Sequence, residues 1–380
     1  MKRRWKILGG IAVALIALLA VNTIIVDGET KEAEVTVEGG KILSLPGGDV
    51  QVVEAGPSVA GPPDAQTPIV LLHCYSCSLH WFDELAPILA ESHRVVRIDL
   101  LGHGGAQKPS SGYSIEDQAG LVGAALDRIG VQGAVVVGHS MGFSIATALA
   151  ERSSQLVDRL VNIDEGPTEA SCDIPFVAKL GFTPVVGEAM WRLTPSFAIE
   201  SGYADAFAPG FDIADGFPDP DQVVDDFRAM TYTSFRDASE ENGDYVEEVP
   251  LDERLSRVPV PLLSIFGSED QICDPEVAQE AYATVPGARV AEVKDAGHSP
   301  NVEQPEETAA LIEEFAAEAG DEAIDPLPGG GRQGEPKPGG DKPGGGGSDG
   351  GSESDSGQSG RGAGGGGGHE ESQKKRRVER

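Results

Sequence analysis

The chain has 380 residues, room for two or three domains at roughly 150 residues each, or for one large α/β domain with appendages. Its formal net charge of -33 argues against nucleic acid as a partner, because a phosphate backbone is gripped by a basic face, and favours a soluble, self-repelling surface. A large share of the 50 glycines falls after residue 327, which leaves the remainder with an ordinary globular composition.

Lys2, Arg3, Arg4 and Lys6 form a basic tip, residues 1–6, before an apolar run over 7–26, from Ile7 to Val26. At 1.5 Å per residue, about twenty residues span about 30 Å of hydrocarbon, enough to cross a bilayer. Asp27, Glu29 and Glu32 follow, against Lys31. Positive charge before and acid after predict a single-pass cell-membrane anchor with the rest of the chain outside the cytoplasm. A cleaved signal, which would leave the protein secreted, is the rival reading, although signal cores usually run about 7 to 15 residues and no clean Ala-x-Ala site appears.

An α/β core is expected over 34–166 and 259–319. Glu34–Val37, Lys41–Leu45 and Val50–Glu54 alternate and are separated by Gly-Gly pairs, the pattern of an antiparallel meander. Past the Pro-rich segment Gly56–Pro68, the run Ile69–Leu72 is apolar throughout, as a strand buried on both faces of a parallel sheet would be. A helical stretch Trp81–Ala90, a strand Val95–Asp99, a helix Ile115–Ile129 and a strand opening at Val135 follow. The alternation predicts a doubly wound sheet.

Val135-Val136-Val137 runs into Gly138-His139-Ser140-Met141-Gly142, and Ile145–Ala150 then reads as a helix lined with small apolar residues. This is strand, sharp turn, helix, with glycines on either side because strand and helix lie too close for side chains there. The turn lifts the Ser140 hydroxyl clear of the sheet and sets helical N–H groups beside it. A reacting carbonyl can sit on Ser140 while backbone donors hold its oxygen.

Residues 167–258 interrupt the alternation and read as a helical cap rich in aromatics, among them Phe176, Phe182, Trp191, Phe197, Phe207 and Phe217, with Val177 beside the first. Strands Pro261–Phe266 and Arg289–Val293 resume the core. Residues 320–380 are Gly, Pro, Ser and charge, a composition that buries no core and predicts a disordered tail. The terminal Lys374-Lys375-Arg376-Arg377 reads as an idle charged tail or a contact for an anionic surface.

Five segments occur in order: Leu72-His73-Cys74-Tyr75, Asp99-Leu100-Leu101-Gly102-His103-Gly104, Gly138-His139-Ser140-Met141-Gly142, Gly267-Ser268-Glu269-Asp270 and Gly297-His298-Ser299-Pro300. Together they resemble the α/β-hydrolase fold family over roughly Val35 to Phe315. The resemblance implies a mostly parallel eight-stranded sheet with antiparallel N-terminal strands and a helical cap insert over the active site. It also implies a nucleophile at Ser140, an acid at Asp270 and a base at His298, in the family's order. The family's first oxyanion donor is the Met141 amide. The second falls on the Tyr75 amide, in a loop that carries His73-Cys74 where the family usually has His-Gly. A cap so rich in aromatics points to an apolar substrate.

Elementary chemistry reaches the same histidine. A serine hydroxyl is a poor nucleophile until a base takes its proton, and a side chain with a pKa near 6.5 suits that task. Of seven histidines, His369 lies in the tail, and His80 and His93 sit in or beside an exposed-looking helix. His73, His103 and His139 end strands or tight loops, where packing or hydrogen bonding is expected. His298 is left. A carboxylate must hold the imidazole tautomer; Asp270, at a strand's carboxyl end, is the first choice, with Asp164, Glu269 and Asp274 as alternatives. Asp99 is expected to order its Gly-rich loop.

Cys74, Cys77, Cys172 and Cys273 allow three full pairings in an extracytoplasmic chain, none decidable from sequence, and buried free thiols fit as well. A redox role for Cys74-x-x-Cys77 lacks a thioredoxin-like context, and zinc lacks a second ligand pair. The glycines near Gly102 lack dinucleotide spacing, so neither cofactor nor metal is expected. The expectation is a membrane-anchored serine hydrolase acting on the ester or related acyl bond of a small molecule. The alternatives are a carbon–carbon hydrolase, a cofactor-free haloperoxidase, and a non-catalytic envelope protein that keeps the fold for binding. Serine rather than aspartate at position 140 speaks against the dehalogenase and epoxide hydrolase branches of the fold.

Overall fold

The strands are β1 (Lys41–Leu45), β2 (Gly48–Ala55), β3 (Ile69–Leu72), β4 (Val95–Ile98), β5 (Ala134–His139), β6 (Val157–Ile163), β7 (Leu262–Gly267) and β8 (Arg289–Val293). In this computed structural model, which describes residues 2–57, 67–172 and 180–318, they form one sheet in the order β1-β2-β4-β3-β5-β6-β7-β8. β2 pairs antiparallel with β1 and β4, and the pairs from β4 to β8 are parallel. The fold is the doubly wound, mostly parallel architecture that the sequence implies.

β3 and β5 are buried along their whole length because both faces are covered. Successive side chains of a strand point to opposite faces, and the two cores divide accordingly. Val70, Leu72 and Val136 pack with α3 (Ile115–Ile129) and α4 (Met141–Arg152). Ile69, Leu71, Val135 and Val137 pack with α2 (Leu85–Leu89) and with α12 (Pro305–Ala317), the last helix of the core, which follows the short α11 (Pro300–Glu303). Local signals set α3 cleanly. The Ser114 side chain accepts from the Asp117 amide at its start, and Gly130 closes it at φ +70°.

Two expectations change. Glu34–Val37 forms no strand; the Glu34 amide donates to Gly105 O at 2.9 Å and the Thr36 amide to Gln51 Oε1 at 2.7 Å. A loop carbonyl and a buried side chain satisfy that backbone, so it needs no ladder. The stretch Trp81–Ala90 divides into a 3₁₀ turn, Leu79–Phe82, and the short α2. Pro87 is tolerated in the first turn of α2, but in a helix begun at Trp81 its missing N–H would fall in the interior.

Between β6 and β7 the chain builds the cap from α5 (Val186–Trp191), α6 (Ser196–Tyr203), α7 (Gln222–Ala229), α8 (Tyr232–Glu248) and α9 (Leu251–Leu255). Phe176 and Val177 lie outside the described residues, as does the whole of 320–380. Much of the aromatic content packs on itself. Trp81 stacks on Phe207 at 5.6 Å and meets Phe217 edge-on at 5.3 Å, which closes the cap on the core. The N-terminal α1 (Lys2–Asp27) is apolar and exposed along most of its length, and only its last turns are covered.

Candidate active site

β3 lies between β4 and β5, so the chain leaves it to one side and later returns on the other. Loops that part in this way leave a crevice at the carboxyl ends of the strands, where open α/β sheets hold ligands. Ser140 stands at that switch point, one residue past β5, with φ +49°, a strained value for a residue with a side chain. Its amide is tied to Ile163 O at 2.8 Å and it directly precedes α4. The flanking glycines are obligatory. A Cβ on Gly138 would lie 2.3 Å from Phe143 Cα, and one on Gly142 would lie 2.3 Å from Leu72 O.

β7 and β8 deliver the partners. His298 is buried, and its Nδ1 lies 2.8 Å from Asp270 Oδ2. The other Asp270 oxygen accepts the Ile272 and Cys273 amides at 2.7 and 3.0 Å, which fixes the carboxylate. Burial works against a charge on His298, but Asp270, assisted by Glu165 and Glu303, outweighs it and raises the imidazole above its ordinary value. Asp164, the alternative acid, is fully buried at φ +53°. Its Oδ1 accepts the Gly267 amide at 2.9 Å, and burial, with Asp270 close by, pushes its pKa well above the carboxylate range. Asp164 thus braces β7 against β6, in a setting that favours its protonated form. Glu269 and Asp274 show no bond to His298; Asp274 instead caps α10 (Pro275–Tyr282).

The remaining histidines of the core are structural. His139 donates through Nε2 to His298 O at 2.7 Å, and burial with His298 nearby lowers its pKa to about 3, so it stays neutral. His73 Nε2 accepts the Leu100 amide at 3.0 Å, which leaves Nδ1 to donate to Cys74 O at 2.8 Å. His93, expected beside an exposed helix, is buried with Nδ1 2.8 Å from Thr67 O. Asp99 accepts the Leu79 and Gly105 amides, each at 2.8 Å, and so orders its loop.

The cysteines pair as Cys74–Cys77 and Cys172–Cys273, so free thiols are ruled out among the described residues. The first bridge encloses Tyr75 and Ser76, with Ser76 at φ +58°, and stiffens the loop where glycine is usual. Among the described residues, neither the Tyr75 amide nor the Met141 amide donates to a protein acceptor. The second bridge ties the start of the cap to the loop that carries Asp270. Asp270, Cys273 and His298 come together at metal-like spacing, but Cys273 Sγ is committed to its disulfide.

Sequence reasoning missed two carboxyls. Glu165 is buried beside the nucleophile turn, within 3.4 Å of Ser144 Oγ and 3.3 Å of Asn242 Nδ2. Its place directly after Asp164, at the end of β6, was the available signal. Asp226 of the cap accepts Trp81 Nε1 at 2.9 Å and Gln222 Nε2 at 2.9 Å, and burial raises its pKa to about 7. A carboxyl raised in the folded state stabilises most below its unfolded pKa and loses that contribution as pH rises through 7. Asp226→Asn is thus expected to remove a loss of stability between about pH 4 and 8, on the order of 4 kcal/mol at most. Thermal denaturation of the wild type and variant across that range measures it as the difference between the two curves.

A Gly-x-Ser-x-Gly elbow at the switch point, with a His–Asp pair brought in from the ends of β7 and β8, defines a hydrolase architecture. The chain matches the alpha/beta hydrolase family over residues 69–311 and belongs to that family of enzymes. It is similar to a pimeloyl-[acyl-carrier protein] methyl ester esterase of Neisseria meningitidis, 27% identical over 67% of this chain and 94% of the relative. It is similar also to the 2-hydroxymuconate semialdehyde hydrolase of Pseudomonas putida, 30% identical over 60% of this chain and 79% of the relative. Among solved structures, the enol-lactonase of Burkholderia xenovorans LB400 aligns with a TM-score of 0.60 and 22% identity, covering 73% of this chain and 100% of that one.

Proposed function

We propose that the protein is a serine hydrolase that cleaves an ester or related acyl bond of an apolar small molecule, held at the membrane by α1 with its catalytic domain on the extracytoplasmic side. The observation that carries the reading is the elbow at Ser140 in the same molecule as a His298–Asp270 pair at 2.8 Å. Asp270 engages Nδ1 and leaves Nε2 as the ring nitrogen for the serine. His298 takes the Ser140 proton, Oγ attacks the carbonyl, and the Met141 and Tyr75 amides receive the oxyanion. The imidazolium, supported by Asp270, protonates the leaving group, and water then releases the acyl chain by the same steps in reverse order. The methyl ester esterase relative supports the choice of bond. The semialdehyde hydrolase relative supports a second reading, carbon–carbon cleavage by the same serine.

A fluorophosphonate probe is expected to label the wild type and not Ser140→Ala. Absence of labelling in both, or equal labelling, would favour a binding protein that retains the fold. Turnover of p-nitrophenyl esters of rising chain length then separates ester from carbon–carbon chemistry and reports the size of the acyl pocket.

A further inference from the structure

Successive positions of α5 meet successive positions of α1. Asn22 Nδ2 donates to Glu188 O at 3.1 Å, and the Thr23 hydroxyl reaches the Glu188 carboxylate. Val26 is wholly buried in a cluster with Trp191, Met230 and Tyr232. Further along, Glu29 pairs with Arg192 at 3.7 Å, and Lys31 Nζ donates to Arg228 O at 2.9 Å. α5 therefore climbs beside the last turns of α1 in the same direction, its Val185–Val186 end lowest and Arg192 highest.

If the apolar run to Val26 fills the hydrocarbon, Asn22 lies about 6 Å inside its edge at 1.5 Å per residue. The start of α5 lies at that depth. What it exposes there is apolar: Val185 and Val186 are 46% and 47% accessible and Met190 is 41%. Leu193 and, in α6, Phe197 are also exposed, at 80% and 72%, but lie beyond Arg192. The exposed cations come at the level of Glu29 and Lys31, where Arg192 and Arg228 border a cleft of about 230 Å³. Apolar surface deep and guanidinium groups above it follow the order in which a leaflet presents acyl chains and phosphates.

We propose that this edge of the cap, from Val185 to Met190, is seated in the lipid leaflet beside α1, with Arg192 and Arg228 at the phosphate level. The proposal rests on reading α1 as a bilayer-spanning helix. It is tested on the full chain in nanodiscs of phosphatidylcholine and phosphatidylglycerol, with a benzophenone amino acid placed singly at Leu15, Val186, Met190 or Val277. Val277 is an exposed apolar residue of α10, 48% accessible, on the core. Lipid adducts are expected at Leu15, Val186 and Met190 and not at Val277. Adducts at Leu15 with none at Val186 and Met190 would overturn the seating while leaving the anchor intact. No adduct at Leu15 would overturn the anchor and the proposal with it, and equal capture at Val277 would overturn the proposal as non-specific labelling.

Discussion

Replacing His298 by alanine is expected to lower kcat by about 10⁴-fold or more, because without a base the Ser140 hydroxyl keeps its proton. Asp270→Asn is expected to approach the same loss, since the imidazole then lacks the acceptor that holds its tautomer and supports its charge. Asp164→Asn separates the two carboxyls. Burial and the neighbouring Asp270 favour the protonated form of Asp164, and an amide oxygen still accepts the Gly267 amide, so most activity should remain. Reversal of that pair of results would move the acid to the end of β6. The pH profile carries a second check. His298 must be neutral to act, and its pKa is raised by Asp270, so the acid limb of kcat/KM should fall above pH 6.5 in the wild type. In the residual activity of Asp270→Asn the limb should move to lower pH, because burial is then less strongly opposed. Stopped assays with a chromogenic ester from pH 5 to 9 measure both effects.

The parts of the fold that local chemistry dictates were legible in the sequence. Gly138 and Gly142 announce the elbow because contacts of 2.3 Å admit no Cβ, and α3 is framed by a serine cap and a left-handed glycine. The all-apolar β3 and β5 signal a sheet covered on both faces. Illegible were relations between distant positions. Trp81 and Asp226 bond across 145 residues, and Cys172 finds Cys273 across 101. No local period encodes either. Glu34–Val37 alternates like a strand, yet the deciding group is the Gln51 side chain, already committed to Asp99 Oδ2 at 2.6 Å. The aromatic content of the cap was visible, but not its division between a buried stack on Trp81 and residues left facing outward, such as Phe197.

Removing the Cys172–Cys273 bridge by alanine at both positions is expected to cost about 4 to 5 kcal/mol of stability, as chain entropy predicts for a loop of roughly 100 residues. The bridge joins the residue after the Glu169–Ser171 turn to the loop that carries Asp270, where the Asp274 amide also donates to Ser171 O at 2.9 Å. Its loss should lower both Tm and kcat, because the Cys273 amide that steadies Asp270 would move with it. Removing Cys74–Cys77 should behave differently. It closes only a four-residue loop, for which the same entropy amounts to about 2 kcal/mol, but that loop presents the Tyr75 amide. Loss of one oxyanion donor lowers kcat by about 10²- to 10³-fold. Denaturant unfolding and ester turnover of the two double variants should therefore rank in opposite orders, the long bridge dominating stability and the short one dominating rate per unit of stability lost. If the short bridge changed neither Tm nor kcat, the second oxyanion donor would have to be sought outside the Cys74–Cys77 loop.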